Sequence, residues 1–141
     1  MKQFSLFILN HWMLFLALLI ILTMLMMNLL KARFLGFKEI KPAEVVQLMN
    51  HKNAIVIDVR EDKDYSSGHI LNAINIPLGM IEGRMEELEK YRSMPVIISC
   101  RTGQQSARAG MIMQKQGFES VYKLAGGMMA WQSANLPVTK D

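Results

Sequence analysis

Hydrophobic and polar positions are unevenly spread along this chain. From Trp12 to Leu30 the sequence WMLFLALLIILTMLMMNLL runs without a charge, and only Thr23 and Asn28 are markedly polar. As a helix at about 1.5 Å per residue the stretch covers roughly 28 Å, close to the thickness of a bilayer's hydrocarbon core. A core helix of a domain this small would keep a polar face, and this one has none. A cleavable signal peptide calls for a basic start, a shorter apolar stretch and a small-residue cleavage site, whereas LLKARFLGF follows here. Residues 12–30 are therefore expected to be an uncleaved anchor in contact with the lipid bilayer. It lies within an N-terminal segment, residues 1–36, that ends in a short tether.

The pattern changes after that. Across residues 37–141, short apolar runs alternate with amphipathic stretches. AIVIDV (54–59) and PVIISC (95–100) are apolar almost throughout and rich in β-branched residues, as strands buried on both faces of a parallel sheet are. SVYKLA (120–125) reads as a further strand. Pro42 followed by AEVVQLM predicts a helix opening on proline. GRMEELEKYRS (83–93) predicts a second, with Glu86 and Lys90 at helical spacing. SARAGMIMQKQ (106–116) predicts a third, capped by Gly117, and GGMMAWQSANLP (126–137) a last one opening on glycine. Alternating strands and helices imply an open parallel α/β sheet with helices on both faces.

Charge changes the picture only in the anchor. The formal net charge is +4, but from Lys38 onward 13 basic residues face 12 acidic ones. A nearly neutral folded part excludes a nucleic-acid surface, which needs a clustered basic face. Lys31, Arg33, Lys38 and Lys41 follow the apolar stretch, against Lys2 alone before it. The positive-inside rule then predicts a single-pass protein of the inner (cytoplasmic) membrane with its C-terminal domain in the cytoplasm. The one cysteine cannot form an internal disulfide, which agrees with a reducing compartment.

That cysteine, Cys100, closes a central apolar strand, where open parallel sheets bind ligands. The loop SCRTGQQSARAG (99–110) carries it, with Gly103 suited to a tight turn and Ser106 to the N-cap of the following helix. A loop of this shape directs backbone N–H groups and a helix N-terminus inward, making a nest for an anion. The same field favours thiolate over thiol, so the sulfur can act as a nucleophile without a histidine partner. A lone cysteine ending an apolar strand is also often a small buried hydrophobe. Asp58 and Arg60, at the end of another strand, are read first as a charge pair fixing the loop after it and second as lining the site mouth. His69 reads as a structural hydrogen-bonder, Trp131 with Met128 as core, and no metal-ligand constellation is visible.

Three segments in order carry a family resemblance. IDVREDKDYSSGHILNAINIP (57–77), CRTGQQSA (100–107) and LAGGMMAWQSANLPV (124–138) together resemble the signatures of the rhodanese-like domain family of sulfurtransferases, over roughly residues 37–138. With the leading apolar stretch, the chain is similar to small bacterial membrane-anchored rhodaneses. The resemblance implies that Cys100 takes a sulfane sulfur from a small donor such as thiosulfate or a persulfide, holds it as a persulfide and passes it to a thiol or protein acceptor. Arg101, Thr102, Gly103, Gln104, Gln105 and Ser106 would form the cradle, chiefly through their main-chain N–H groups, and no cofactor is implied. With one cysteine there is no resolving thiol, so release involves a second molecule. Phosphatase-type relatives carry an arginine six positions after the cysteine to grip an oxyanion; here Ser106 stands there. Gln104 and Gln105 replace the arginine common in the second half of sulfurtransferase loops, leaving Arg101 and Arg108 as the nearby cations. Two rival readings follow: a non-catalytic binding module that recruits a protein partner at the membrane, and a redox-sensing thiol.

Overall fold

The computed structural model describes residue 7, residues 10–34 and residues 38–140, and the chain divides into two compact units, Met1–Gly36 and Phe37–Asp141. In the first, helix α1 spans Trp12–Phe34, and its stretch Trp12–Leu30 is long and apolar enough to cross a membrane. Its side chains from Trp12 to Leu30 are exposed around the whole circumference. The Thr23 hydroxyl donates to the Leu19 carbonyl at 2.7 Å, so that polar group is satisfied within the helix. Helix α1 continues past Lys31 and Arg33, so much of the expected tether is helical; residues 35–37 lie outside the described set.

The second unit is a five-stranded, wholly parallel sheet in the order β1-β5-β4-β2-β3. Its strands are β1 (Lys38–Ile40), β2 (Ile55–Asp58), β3 (Ile74–Asn75), β4 (Pro95–Ser99) and β5 (Ser120–Leu124), and its helices α2 (Pro42–Lys52), α3 (Asp62–Ser67), α4 (Met85–Leu88), α5 (Gln104–Lys115) and α6 (Gly127–Ser133). Strand alternation divides the core in two. Ile57, Val59, Val96, Ile98, Cys100 and Val121 pack with Ala109 and Met113 of α5 and Leu88 of α4. On the other face Val56, Ile97 and Leu124 pack with Val45 of α2 and with Met128 and Trp131 of α6. Residues 55–58 and 95–99 are nearly all buried because both faces are covered, which explains their lack of polar alternation.

Helix α2 begins as its sequence implies, with Pro42 in the first turn and the Lys41 N–H donating to the Glu44 carboxylate at 3.3 Å. The expected helix over 83–93 does not form as one piece. It breaks into a 3₁₀ turn (Glu82–Arg84), the single turn α4 and another 3₁₀ turn (Glu89–Tyr91). Met85, Leu88 and Tyr91 pack against the core at intervals of three, the repeat of the 3₁₀ turns that flank α4. Ion pairs follow the same interval. Arg84 bonds Glu87 and Arg92 bonds Glu89, in place of the expected Glu86–Lys90 pair. The Arg84 hydrogen bond holds the Glu87 carboxyl below the usual carboxylate range.

Candidate functional site

Adjacent strands β4 and β5 are followed by helices that leave toward opposite faces, α5 onto one core and α6 onto the other. Such a divergence opens a crevice at the carboxyl ends of the strands, the usual ligand position in open α/β sheets. The residue after β4 is Cys100. Alternation along β4 turns its side chain to the α5 face, where the residue is 1% exposed.

The loop then folds over the sulfur. Gly103 takes φ +98, a left-handed conformation costly for any residue with a Cβ, and this turn brings its N–H onto Cys100 Sγ at 3.0 Å. Helix α5 starts at the next residue. Ser106 therefore lies inside the first helical turn and not at the N-cap, which Gly103 occupies. Its hydroxyl, fully buried, donates to the Gly103 carbonyl at 3.0 Å and lies 3.4 Å from Cys100 Sγ. The N–H groups of Gln104, Gln105 and Ser106 belong to that first turn and have no intrahelical acceptor. Arg101, Thr102, Gln104 and Gln105 present exposed side chains; Gly103 and Ser106 are buried. The arrangement supplies hydrogen-bond donors to a sulfur nucleophile at a helix N-terminus, with no base beside it in the loop.

Asp58 and Arg60 are turned onto each other. Arg60 Nη2 donates to Asp58 Oδ2 at 2.6 Å and Nε to Oδ1 at 2.9 Å, with both residues buried. Arg60 Nη2 also donates to the Gly68 carbonyl at 2.9 Å, so the pair ties the end of β2 to the residue after α3. Asn75 Nδ2 adds bonds to the Asp58 and Arg60 carbonyls. Both charged groups are thus engaged with each other and with the backbone of the segment after β2. His69 stacks on Tyr65 with ring centroids 3.7 Å apart, and its backbone pairs with Thr139 in an isolated antiparallel bridge. Trp131 is buried and its Nε1 donates to the Pro137 carbonyl at 3.0 Å. Among the described residues no three His, Cys, Asp or Glu side chains cluster as a metal site would need.

One contributor escapes sequence reasoning. The N–H of Met128 donates to the Cys100 carbonyl at 2.8 Å, and that of Met129 to the Arg101 carbonyl at 3.2 Å. Backbone amides carry no residue signature; the Gly126-Gly127 pair is the only sequence trace of this contact.

A family model, the rhodanese-like domain, matches residues 41–134. The chain belongs to the rhodanese-like domain family. YibN of Escherichia coli is 30% identical over 99% of both chains. A thiosulfate sulfurtransferase, GlpE of Pseudoalteromonas translucida, is 33% identical over 71% of this chain and 93% of its own. The crystal structure of a rhodanese-related protein from Thermoplasma volcanium superposes with a TM-score of 0.68 at 27% identity, covering 74% of this chain and all of that one. The family match takes in strands β2 to β5, the Cys100 loop and α6. The match to YibN also takes in the apolar N-terminal helix.

Proposed function

We propose that this rhodanese is a membrane-anchored sulfurtransferase that carries a sulfane sulfur as a persulfide on Cys100. The carrying observation is the Gly103 N–H resting on Cys100 Sγ at the carboxyl end of β4, with the first-turn amides of α5 following it. In the first half-reaction the Cys100 thiolate attacks the sulfane sulfur of the donor. A Cys–S–S bond forms, the donor's own bond to that sulfur breaks, and the donor leaves with the electron pair, as sulfite from thiosulfate or as a thiolate from a persulfide. In the second, an acceptor thiolate attacks the outer sulfur and Cys100 leaves as thiolate, so no oxidant is consumed. The acceptor belongs to another molecule, since Cys100 is the only cysteine.

The loop favours one donor class. Arg101 is its single cation from 100 to 106, while exposed Gln104 and Gln105 are neutral. A neutral or protein-bound persulfide suits this charge better than doubly charged thiosulfate. Intact mass spectrometry of the full chain in detergent, after exposure to the persulfide of a thiol without carboxylates or to thiosulfate, should show a gain of about 32 Da, one sulfur, on a larger fraction of the chain with the persulfide. If neither donor loads the folded chain, the reading fails and a binding module takes its place.

Helix α1 serves as the anchor in this reading, with the domain on the cytoplasmic side of the inner membrane because the basic residues follow the apolar stretch. A reporter enzyme that needs disulfides to be active, fused after Asp141, should stay inactive in cells. An active fusion would reverse the orientation.

A further inference from the structure

The Cys100 loop sets the Gly103 peptides by its own bonds but not those that precede them. The first turn of α6, rooted on the opposite face of the sheet, bonds the carbonyls of Cys100 and Arg101 through the amides of Met128 and Met129. No peptide bond among the described residues is cis. In a trans peptide the carbonyl and the following N–H point in opposite directions. With both carbonyls drawn toward α6, the N–H groups of Arg101 and Thr102 are aimed away from it. The next amide in the chain, that of Gly103, lies on Cys100 Sγ.

This approach depends on a missing side chain. Gly127 adopts φ +58, and a Cβ there would overlap the Cys100 carbonyl oxygen and stand 2.7 Å from the carbonyl carbon and oxygen of Arg101. These are backbone atoms, which cannot swing aside as the end of a flexible side chain can. We infer that Gly127 is a positioning residue for the sulfur site: it lets the start of α6 hold two loop carbonyls outward, so that consecutive amides 101–103 face the anionic sulfur. The purpose assigned to this geometry rests on the sulfur-carrier reading, but the geometry is testable without sulfur loading. A larger residue at 127 pushes α6 off the loop and frees the two carbonyls to turn inward, where their oxygens oppose negative charge.

The test compares alkylation of Cys100 by iodoacetate and by iodoacetamide on the full chain in detergent. The two reagents deliver similar electrophilic carbons and differ in charge, so their rate ratio reads the inward amides while the thiolate fraction cancels. Gly127→Ala should lower the ratio on the order of tenfold, less than the hundredfold or more lost when a preorganised donor is deleted outright. Met129→Pro removes one of the two amides in a first helical turn that tolerates proline, and its native side chain is exposed, so it should lower the ratio by a smaller factor. Val45→Ala, a cavity in the core under α2, controls for lost stability and should leave the ratio unchanged. An unchanged ratio in whichever loop-contact variant remains folded by circular dichroism overturns the inference. So does a wild-type Cys100 that shows no preference for the anion or reacts with neither reagent, and so does unfolding of both variants, which would make the contact structural only. If the ratio falls as expected while the wild type loads no sulfur, the positioning role stands and the sulfurtransferase reading falls.

Discussion

Cys100→Ser should abolish sulfur loading and cut transfer on the order of 10⁴-fold or more, the scale seen when an enzyme loses its nucleophile. The replacement is nearly isosteric, and a serine oxygen can still accept the Gly103 N–H that now meets Sγ at 3.0 Å. The fold should therefore survive, with a melting temperature within a few degrees of wild type. That combination makes the variant informative. Residual transfer above about one hundredth of wild type would mean that the sulfur does not travel on this side chain. Capture of a membrane partner that persists in the variant while transfer disappears would show a recruiting role alongside the chemistry.

The second large effect concerns stability. Asp58→Ala should leave the Arg60 guanidinium buried with the Gly68 carbonyl as its remaining bonded acceptor. Stranding one member of a buried pair costs about 3–5 kcal/mol. For a domain of this size that corresponds to a fall on the order of 20 °C in Tm, measured by thermal circular dichroism. Asp58→Leu combined with Arg60→Met should recover much of the loss, because two well-packed apolar groups leave no uncompensated charge. A fall of less than about 5 °C in the single variant would show that the pair does not brace the loop after β2.

The sequence speaks clearly where a physical requirement falls on side chains that neighbour each other along the chain. Strands β2 and β4 are visible as apolar runs because both faces of the sheet are covered, and Cys100 is visible because it follows such a run. Strands β1 and β3, three and two residues long, have no such pattern. They are strands because a neighbouring edge offers a ladder, with Lys38 beside Tyr122 and Ile74 beside Ile57. The stretch 82–91 misleads because its charges suit an α-helix while its core contacts repeat every three residues. Ser106 misleads because a serine before a helical pattern is a good cap, yet the turn made by Gly103 starts the helix two residues earlier. The contact of α6 with the loop is invisible for another reason: it joins residues far apart in the chain through amides that nearly every residue type possesses.

The order β1-β5-β4-β2-β3 also bears on how the chain acquires its shape. Lys38 finds its ladder partner only at Tyr122, so the first strand made during synthesis waits for the last. Until β5 arrives, one side of β4 and the whole of β1 are open edges, and such edges recruit other chains. Completion of the sheet thus waits on a pairing distant in sequence, a slow kind of step. A chain interrupted after α5 would lack β5, the strand that joins β1 to β4, and the two edges left open would favour association with other copies.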